Sequence, residues 1–390
     1  MTTETIPLEG TAETEFQTGQ VLTIVSGHFI HDVYTACIAP LLPVIIEKMS
    51  LSLTLAGSLT AIMQIPAVLN PFIGYLADKI SLRYFVIFAP GLTATLISSM
   101  GFAPNYFILA VILFVTGISV AAFHAPAPAM VAQISGKKVG MGMSLFMAGG
   151  ELSRSVGPLL AVWAVTTWTL DGFYRIVVIG WAATLILFLR LRNIPSRPEK
   201  GSSLRTLRPA LIGLFAPLLV INFFRNFMAV GLSTYLPTFM NQGGANLWVS
   251  GAALSILEFA GVGGALLSGT ISDRLGRKSV LQIATVLSAV FMLLFLNVKG
   301  WVVVPILLAL GFTALSTTPV LLAVVQDQLP KNRAVGNGLY MFINFLLRPL
   351  AILAIGIMGD GLGLRTAFFW SAIVSLLAIP AIWALPRVKS

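Results

Sequence analysis

In this chain of 390 residues 57% are hydrophobic and only 10% are charged, against about 25% in ordinary soluble domains, so a soluble fold could not hide its apolar surface. With a mean hydropathy of +0.92 it reads as an integral membrane protein, and the net charge of +10 belongs to links between apolar runs, not to nucleic-acid binding. The single cysteine, Cys37, lies within the first run and excludes an intramolecular disulfide.

In chain order, residues 1–19 hold no Lys or Arg, lack the basic start of a cleavable signal, and are expected to remain as a polar cytoplasmic tail. Twelve apolar runs long enough to span a bilayer follow. The first six cover Val21–Ile46, Leu53–Leu76, Tyr84–Phe102, Tyr106–Ile134, Val139–Thr166 and Phe173–Leu191. The others cover Pro209–Met240, Trp248–Ile271, Ser279–Val298, Val302–Gln326, Val335–Met358 and Thr366–Leu385. The pattern predicts an all-α membrane protein of twelve transmembrane helices. Six-helix bundles at 20–191 and 209–385 are joined by a cytoplasmic linker, 192–208, and followed by a short cytoplasmic tail, 386–390. With both termini inside, seventeen Lys and Arg fall in inner links and four (Lys48, Arg175, Lys299, Arg365) in outer ones, the inside-positive bias of a plasma or inner membrane protein.

The two halves repeat. Gly74 to Arg83 (GYLADKISLR) links runs two and three, and Gly269 to Lys278 (GTISDRLGRK) links runs eight and nine. Gly74 and Gly269, like Asp78 and Asp273, are 195 positions apart (269 − 74 and 273 − 78). The glycines suit close helix approach, and an Asp beside Arg274, Gly276, Arg277 and Lys278 can bridge a helix end to its loop. Duplicated six-span halves mark transporters.

On these residues the chain resembles the major facilitator superfamily over all twelve runs. The second copy matches the superfamily's loop motif closely, whereas the first has Ser81 where the motif has Gly. The resemblance implies that the loops latch a cytoplasmic gate. Phe123-His124, Gly140, Ser144, Phe146, Gly149-Gly150 and Gly157-Pro158-Leu159 are similar to the fosmidomycin-resistance branch, as are His28 and Asp32 of the first run. Ala125, Glu151 and Arg154 depart from that branch.

Ionisable residues inside the runs fall on run one (His28, His31, Asp32), four (His124), five (Glu151, Arg154), seven (Arg225), eight (Glu258) and eleven (Arg348). Charge in hydrocarbon costs at least ~2.5–3.5 kcal/mol, so these residues should face a solvated centre or one another. His28 and Asp32, four apart, share a helix face; they either carry protons or pin the first helix. His31 lies about 100° round the helix from Asp32 and is expected to pack or meet lipid. His124 either serves a site or satisfies the backbone near Pro126 and Pro128. Glu151 and Arg154 are an i, i+3 pair, either structural or a displaceable counter-ion and an anion ligand. Arg225 and Arg348 suit carboxylate or phosphate through paired hydrogen bonds, with Glu258 as the expected resting partner of Arg225. Phe123, Phe146, Tyr235 and Tyr340 either line a pocket or pack, and Gly261, Gly263 and Gly264 are read as close helix packing.

The expectation is a secondary active transporter that moves a small organic molecule, anionic or amphiphilic, by alternating access, with proton-coupled export favoured over uptake by symport. Proton coupling falls to Asp32, His28, Glu151 and Glu258; substrate binding falls to Arg154, Arg225, Arg348 and His124. A monomer working with protons and lipid is expected, with no metal, no cofactor and no nucleic acid. HExxH, GxSxG, a cysteine cluster and GxxxxGK[ST] are all missing from the sequence, which argues against an enzyme or a nucleotide-driven pump.

Overall fold

The computed structural model describes residues 15–77, 82–193, 208–329 and 333–386, and among them the chain is helical with short connections. The first half comprises α1 (Thr18–Met49), α2 (Leu53–Leu69, continuing as Asn70–Ala77), α3 (Arg83–Phe102), α4 (Tyr106–Ile134), α5 (Val139–Trp168) and α6 (Asp171–Leu191). The second comprises α7 (Arg208–Gln242), α8 (Leu247–Leu275), α9 (Arg277–Phe295), α10 (Gly300–Gln328), α11 (Arg333–Leu362) and α12 (Leu364–Ala384). Ten of these contain a stretch long and apolar enough to cross a membrane. The other two are α2, which tightens to a 3-10 turn over Ile65–Leu69, and α5, whose 30 residues include Glu151, Arg154 and several Gly and Ser.

Proline sets where the helices break. Its ring clashes with the carbonyl four residues back and removes that carbonyl's helical donor. In α1 the segment Thr18–Thr35 ends just before Ala36, four residues ahead of Pro40. In α4 the segment ends at His124, four ahead of Pro128, and in α10 at Leu315, four ahead of Pro319. At the end of the bundle remote from the chain termini, the helices start on polar caps. Ser52 Oγ accepts from Leu55 N at 3.2 Å, Asn105 Oδ1 from Ile108 N at 3.0 Å and Asn246 Oδ1 from Val249 N at 2.9 Å. Each such cap contributes about 1 kcal/mol.

Each half has its own apolar core. Tyr34, Leu41, Leu59, Leu113 and Phe173 fill one part of the first half, and Val21, Ile87, Phe123, Phe146 and Leu187 another. The second half packs Met228, Leu257, Met292, Leu310 and Phe368, with Leu218, Leu321 and Tyr340 nearer the termini. Leu53 crosses the divide and is buried in the second core. The halves meet where α2 packs on α11, α5 on α8, and the Ile38–Met49 part of α1 on α7.

Gly57 makes one of these approaches possible: a Cβ there would lie 1.7 Å from the Tyr235 hydroxyl. That hydroxyl sits 3.1 Å from both the Leu53 and the Ile352 carbonyl oxygens, tying α7 to α2 and α11. Asp360 closes the same seam. Its carboxylate accepts from Leu53 N at 2.6 Å, from Thr54 N at 2.9 Å and from the Thr54 hydroxyl, so α11 caps the positive end of α2 across the two halves. Asp360→Ala should therefore loosen this end by about 1 kcal/mol, a roughly fivefold gain in the separated population. Spin labels on the remote ends of α2 and α11 would report it, and an unchanged distance distribution would count against the latch.

The loop motif is partly visible. Asp78 lies outside the described residues, Gly74 falls within Asn70–Ala77, and Arg83 opens α3 with its guanidinium 5.0 Å from the centre of the Tyr84 ring. In the second copy Arg277 pairs with Asp273 at 2.6 Å and with Asp327 at 3.2 Å, linking the end of α8 to α10. Lys278 donates to the Trp383 carbonyl at 2.8 Å. Gly276, at φ +86°, occupies the left-handed region that lets one residue join α8 to α9. Among the described residues the close approach expected at Gly269 is not present, since a Cβ there meets none of them within 4 Å. Gly263 is likewise open among them. Gly261 and Gly264 do pack tightly, against Leu315 and the Phe312 carbonyl.

Candidate functional site

The first group of interior residues centres on Asp32. His28 Nε2 lies 3.1 Å from Asp32 Oδ2, and His124 Nε2 lies 3.4 Å from the same oxygen. The two Nε2 atoms are 3.3 Å apart. The opposite ring nitrogens fix the tautomers. His28 Nδ1 is 2.8 Å from the Phe146 carbonyl and His124 Nδ1 is 3.0 Å from the Val120 carbonyl. A carbonyl only accepts, so both Nδ1 atoms carry hydrogen, and in neutral rings both Nε2 atoms are bare acceptors close to the carboxylate and to each other. Three acceptors thus converge, and one cation between them would relieve the repulsion. Gly150 makes room for His28: a Cβ there would lie 2.5 Å from its Cε1.

His31 neither meets lipid nor merely packs. It is fully buried, and its Nδ1 donates to Asp32 Oδ1 at 2.8 Å while Nε2 faces the Thr93 hydroxyl at 3.1 Å, which in turn meets Ser119 at 2.8 Å. The reason is that α1 is enclosed by α3, α5 and α6, leaving no lipid-facing side at this level. Phe123 stacks on His31 at 4.6 Å and Phe146 on His28 at 4.0 Å, so these two aromatics hold the imidazoles in place.

The second group joins the halves. Arg154 of α5 pairs with Glu258 of α8 at 2.9 Å and with Glu151 at 3.3 Å. Glu258 is buried, and its other oxygen accepts from Ser233 at 2.6 Å. Arg348 of α11 reaches across to α2, where its Nε donates to Gln64 Oε1 at 3.2 Å. Among the described residues no carboxylate pairs with it, although Arg154, Glu258 and Glu151 lie within its electrostatic reach. Asp32 is similarly within reach of Arg154, which connects the two groups.

Arg225 corrects an expectation. It does not pair with Glu258; it is buried in the second half, donating to the Thr285 hydroxyl and, at 3.0 Å, to the Ala314 carbonyl. Its charge is held by dipoles of α9 and α10 within one bundle, which places it as an internal tether.

A common offset organises these positions. His28, His31 and Asp32 lie 194 positions before Asn222, Arg225 and Asn226 (222 − 28, 225 − 31, 226 − 32). Gln64 stands 194 before Glu258 and Arg154 stands 194 before Arg348 (258 − 64, 348 − 154). The seam contacts Arg154–Glu258 and Arg348–Gln64 are therefore the same contact made twice, once charged and once with a neutral partner. His31 and Arg225 each also meet a threonine, Thr93 of α3 and Thr285 of α9, although these two are 192 positions apart (285 − 93) and not at the common offset. Gln64 and Asn226 escape a search for isolated charges in apolar runs. An offset of 194, one residue shorter than that between the loop motifs, would have found them when applied to the helices.

Two helical bundles meeting along a seam of interior ionisable residues define a multi-pass membrane transporter. The Major Facilitator Superfamily profile matches residues 24–352, with an overlapping match over 259–390, and the chain belongs to that family, whose members are transporters and not enzymes. It is 24% identical to the fosmidomycin resistance protein of Escherichia coli (strain K12) over 369 residues, covering 91% of this chain and 90% of that one. It is 25% identical over 290 residues to the multi-drug resistance efflux pump PmrA of Streptococcus pneumoniae (strain ATCC BAA-334 / TIGR4), covering 70% and 72%. Among solved structures, the D-xylose-proton symporter superposes with a TM-score of 0.79 at 17% identity over 96% of this chain and 99% of that one, a likeness of fold.

Proposed function

We propose that this transporter exports a small anionic or amphiphilic organic molecule in exchange for protons, as a monomer in the inner membrane with both termini cytoplasmic. The observation that carries the reading is the broken symmetry of the interior. The first half has Asp32 where the second has Asn226, so only one bundle holds a carboxylate among acceptor nitrogens. Across the seam Arg154 is neutralised by Glu258, whereas Arg348 faces the uncharged Gln64 and keeps its charge for a ligand. The resistance and efflux relatives support export, and the basic links support the orientation.

The coupling follows from charge. With a proton among Asp32, His28 and His124 that group is neutral, and Arg154 is committed to Glu258, which favours the α5–α8 contact. When the proton leaves, Asp32 competes for Arg154 and the contact weakens. Under the proposed orientation the Asp360 and Tyr235 seam lies on the outer side, so this structure is closed outward. Uptake of an organic anion by symport is the second reading, favoured by the same unneutralised Arg348.

The test is transport by everted membrane vesicles acidified inside, screened with organic anions and amphiphiles. Accumulation that collapses with a protonophore is expected for export by antiport. Accumulation indifferent to the gradient would refute proton coupling, and anion movement in the same direction as protons would favour symport.

A further inference from the structure

We propose that His28, Asp32 and His124 form a three-ligand site for a divalent transition-metal ion of the zinc class. This goes beyond the transport reading and does not depend on it, because it rests on the shape of the group and not on its role in the cycle.

The three candidate ligand atoms are His28 Nε2, Asp32 Oδ2 and His124 Nε2, and their mutual separations are 3.1, 3.3 and 3.4 Å. Zinc bonds of about 2.0–2.1 Å to imidazole nitrogen and carboxylate oxygen, arranged tetrahedrally, put ligand atoms about 3.3 Å apart. The triangle is thus already the size of one face of a zinc tetrahedron, and a metal can enter with little rearrangement. The lone pairs are free for coordination. Both Nδ1 atoms donate to backbone carbonyls of Phe146 and Val120, which leaves both Nε2 atoms bare and fixes the ring planes. His31 donates to the other oxygen of Asp32, the outer partner that orients a ligating carboxylate.

The surroundings suit a bound ion with one open position. His28 is nearly sealed, with a side chain 5% exposed, while those of Asp32 and His124 are 16% and 30% exposed, so the group keeps an accessible side for a fourth ligand. Two imidazoles and one carboxylate are the donor set for Zn²⁺ or Co²⁺, and not for Mg²⁺, which favours an all-oxygen octahedron. The offset of 194 supplies an internal control. The second half has Asn222, Asn226 and Thr318 at the corresponding positions (222 − 28, 226 − 32, 318 − 124), and none is a comparable ligand. One ion per chain is therefore the stoichiometry required.

The experiment uses the purified full-length chain in detergent or nanodiscs, titrated with ZnCl2 by calorimetry and with CoCl2 by visible absorption. Expected are one Zn²⁺ per chain, and a Co²⁺ spectrum with the intensity of four-coordination that Zn²⁺ displaces and MgCl2 does not. His124→Gln, a partly exposed position, should weaken Zn²⁺ at least tenfold with the thermal midpoint of the metal-free protein retained. Asp32→Asn should do the same. His31→Asn should cost about tenfold by releasing the carboxylate, the size of a second-sphere loss. The proposal is overturned by absent Zn²⁺ binding in the folded wild-type chain, by binding undiminished in both ligand variants, or by a six-coordinate Co²⁺ spectrum. These outcomes leave the export reading intact. A failure of proton-driven export would equally leave the titrations unchanged.

Discussion

Asp32→Asn is expected to reduce proton-driven accumulation to the level seen with a protonophore, while substrate binding stays within about threefold. An asparagine amide can donate to the Nε2 lone pairs of His28 and His124, so it imitates the proton-loaded group permanently and has no proton to release. The second half shows that the position accepts this residue, since Asn226 stands there 194 positions on (226 − 32). The fold should therefore survive, and substrate exchange without a gradient should continue in reconstituted vesicles. Unaltered pH-driven transport by this variant would remove Asp32 as the carrier.

The second large effect is expected at the neutral copy of the seam contact. Gln64→Glu turns Arg348–Gln64 into a replica of Arg154–Glu258, giving Arg348 a resident counter-ion. Affinity for an anionic ligand should fall by about 2 kcal/mol, roughly thirtyfold, the lower end of the range for losing one partner of a buried charge pair because Arg348 is partly exposed. Thermal stability should hold or rise. Arg348→Gln should produce a similar loss, and Arg348→Lys should recover only part, since an ammonium lacks the planar fork. Thermal-shift titration against carboxylates, phosphates and phosphonates would measure both. Full anion affinity in a stable Arg348→Gln protein would end the role of this arginine as a ligand.

The helices themselves were legible in the sequence, because twenty or so apolar residues between basic links admit few other readings. The weaker signals were α2 and α5, where proline, glycine and interior charge dilute the run. The grouping of Asp32, His28 and His124 was half legible: the i, i+4 spacing placed two of them on one face, but nothing local told that α4 would deliver the third. His31 was misread because helical angle alone measures direction and not what surrounds the helix. Arg225 was misread for a related reason. Reach in sequence suggested Glu258, whereas that acid is held by Arg154 from the other half, a contact no single-helix pattern encodes. Gln64 carried no signal as a residue type. It becomes informative only as the uncharged copy of Glu258.

The proline breaks have a consequence for reading mutational scans. Pro40, Pro128 and Pro319 each lack an N–H, so the carbonyls of Ala36, His124 and Leu315 lose their usual helical partner in the middle of α1, α4 and α10. These oxygens give the interior a polarity written into the main chain, where a hydroxyl, an ammonium or a water can dock without any side chain taking part. Side-chain replacements at His124 or Leu315 leave such oxygens in place, so a scan of side chains does not probe them. Changing the prolines instead would restore the missing donors and satisfy these acceptors, so this main-chain polarity is encoded four residues downstream of where it lies.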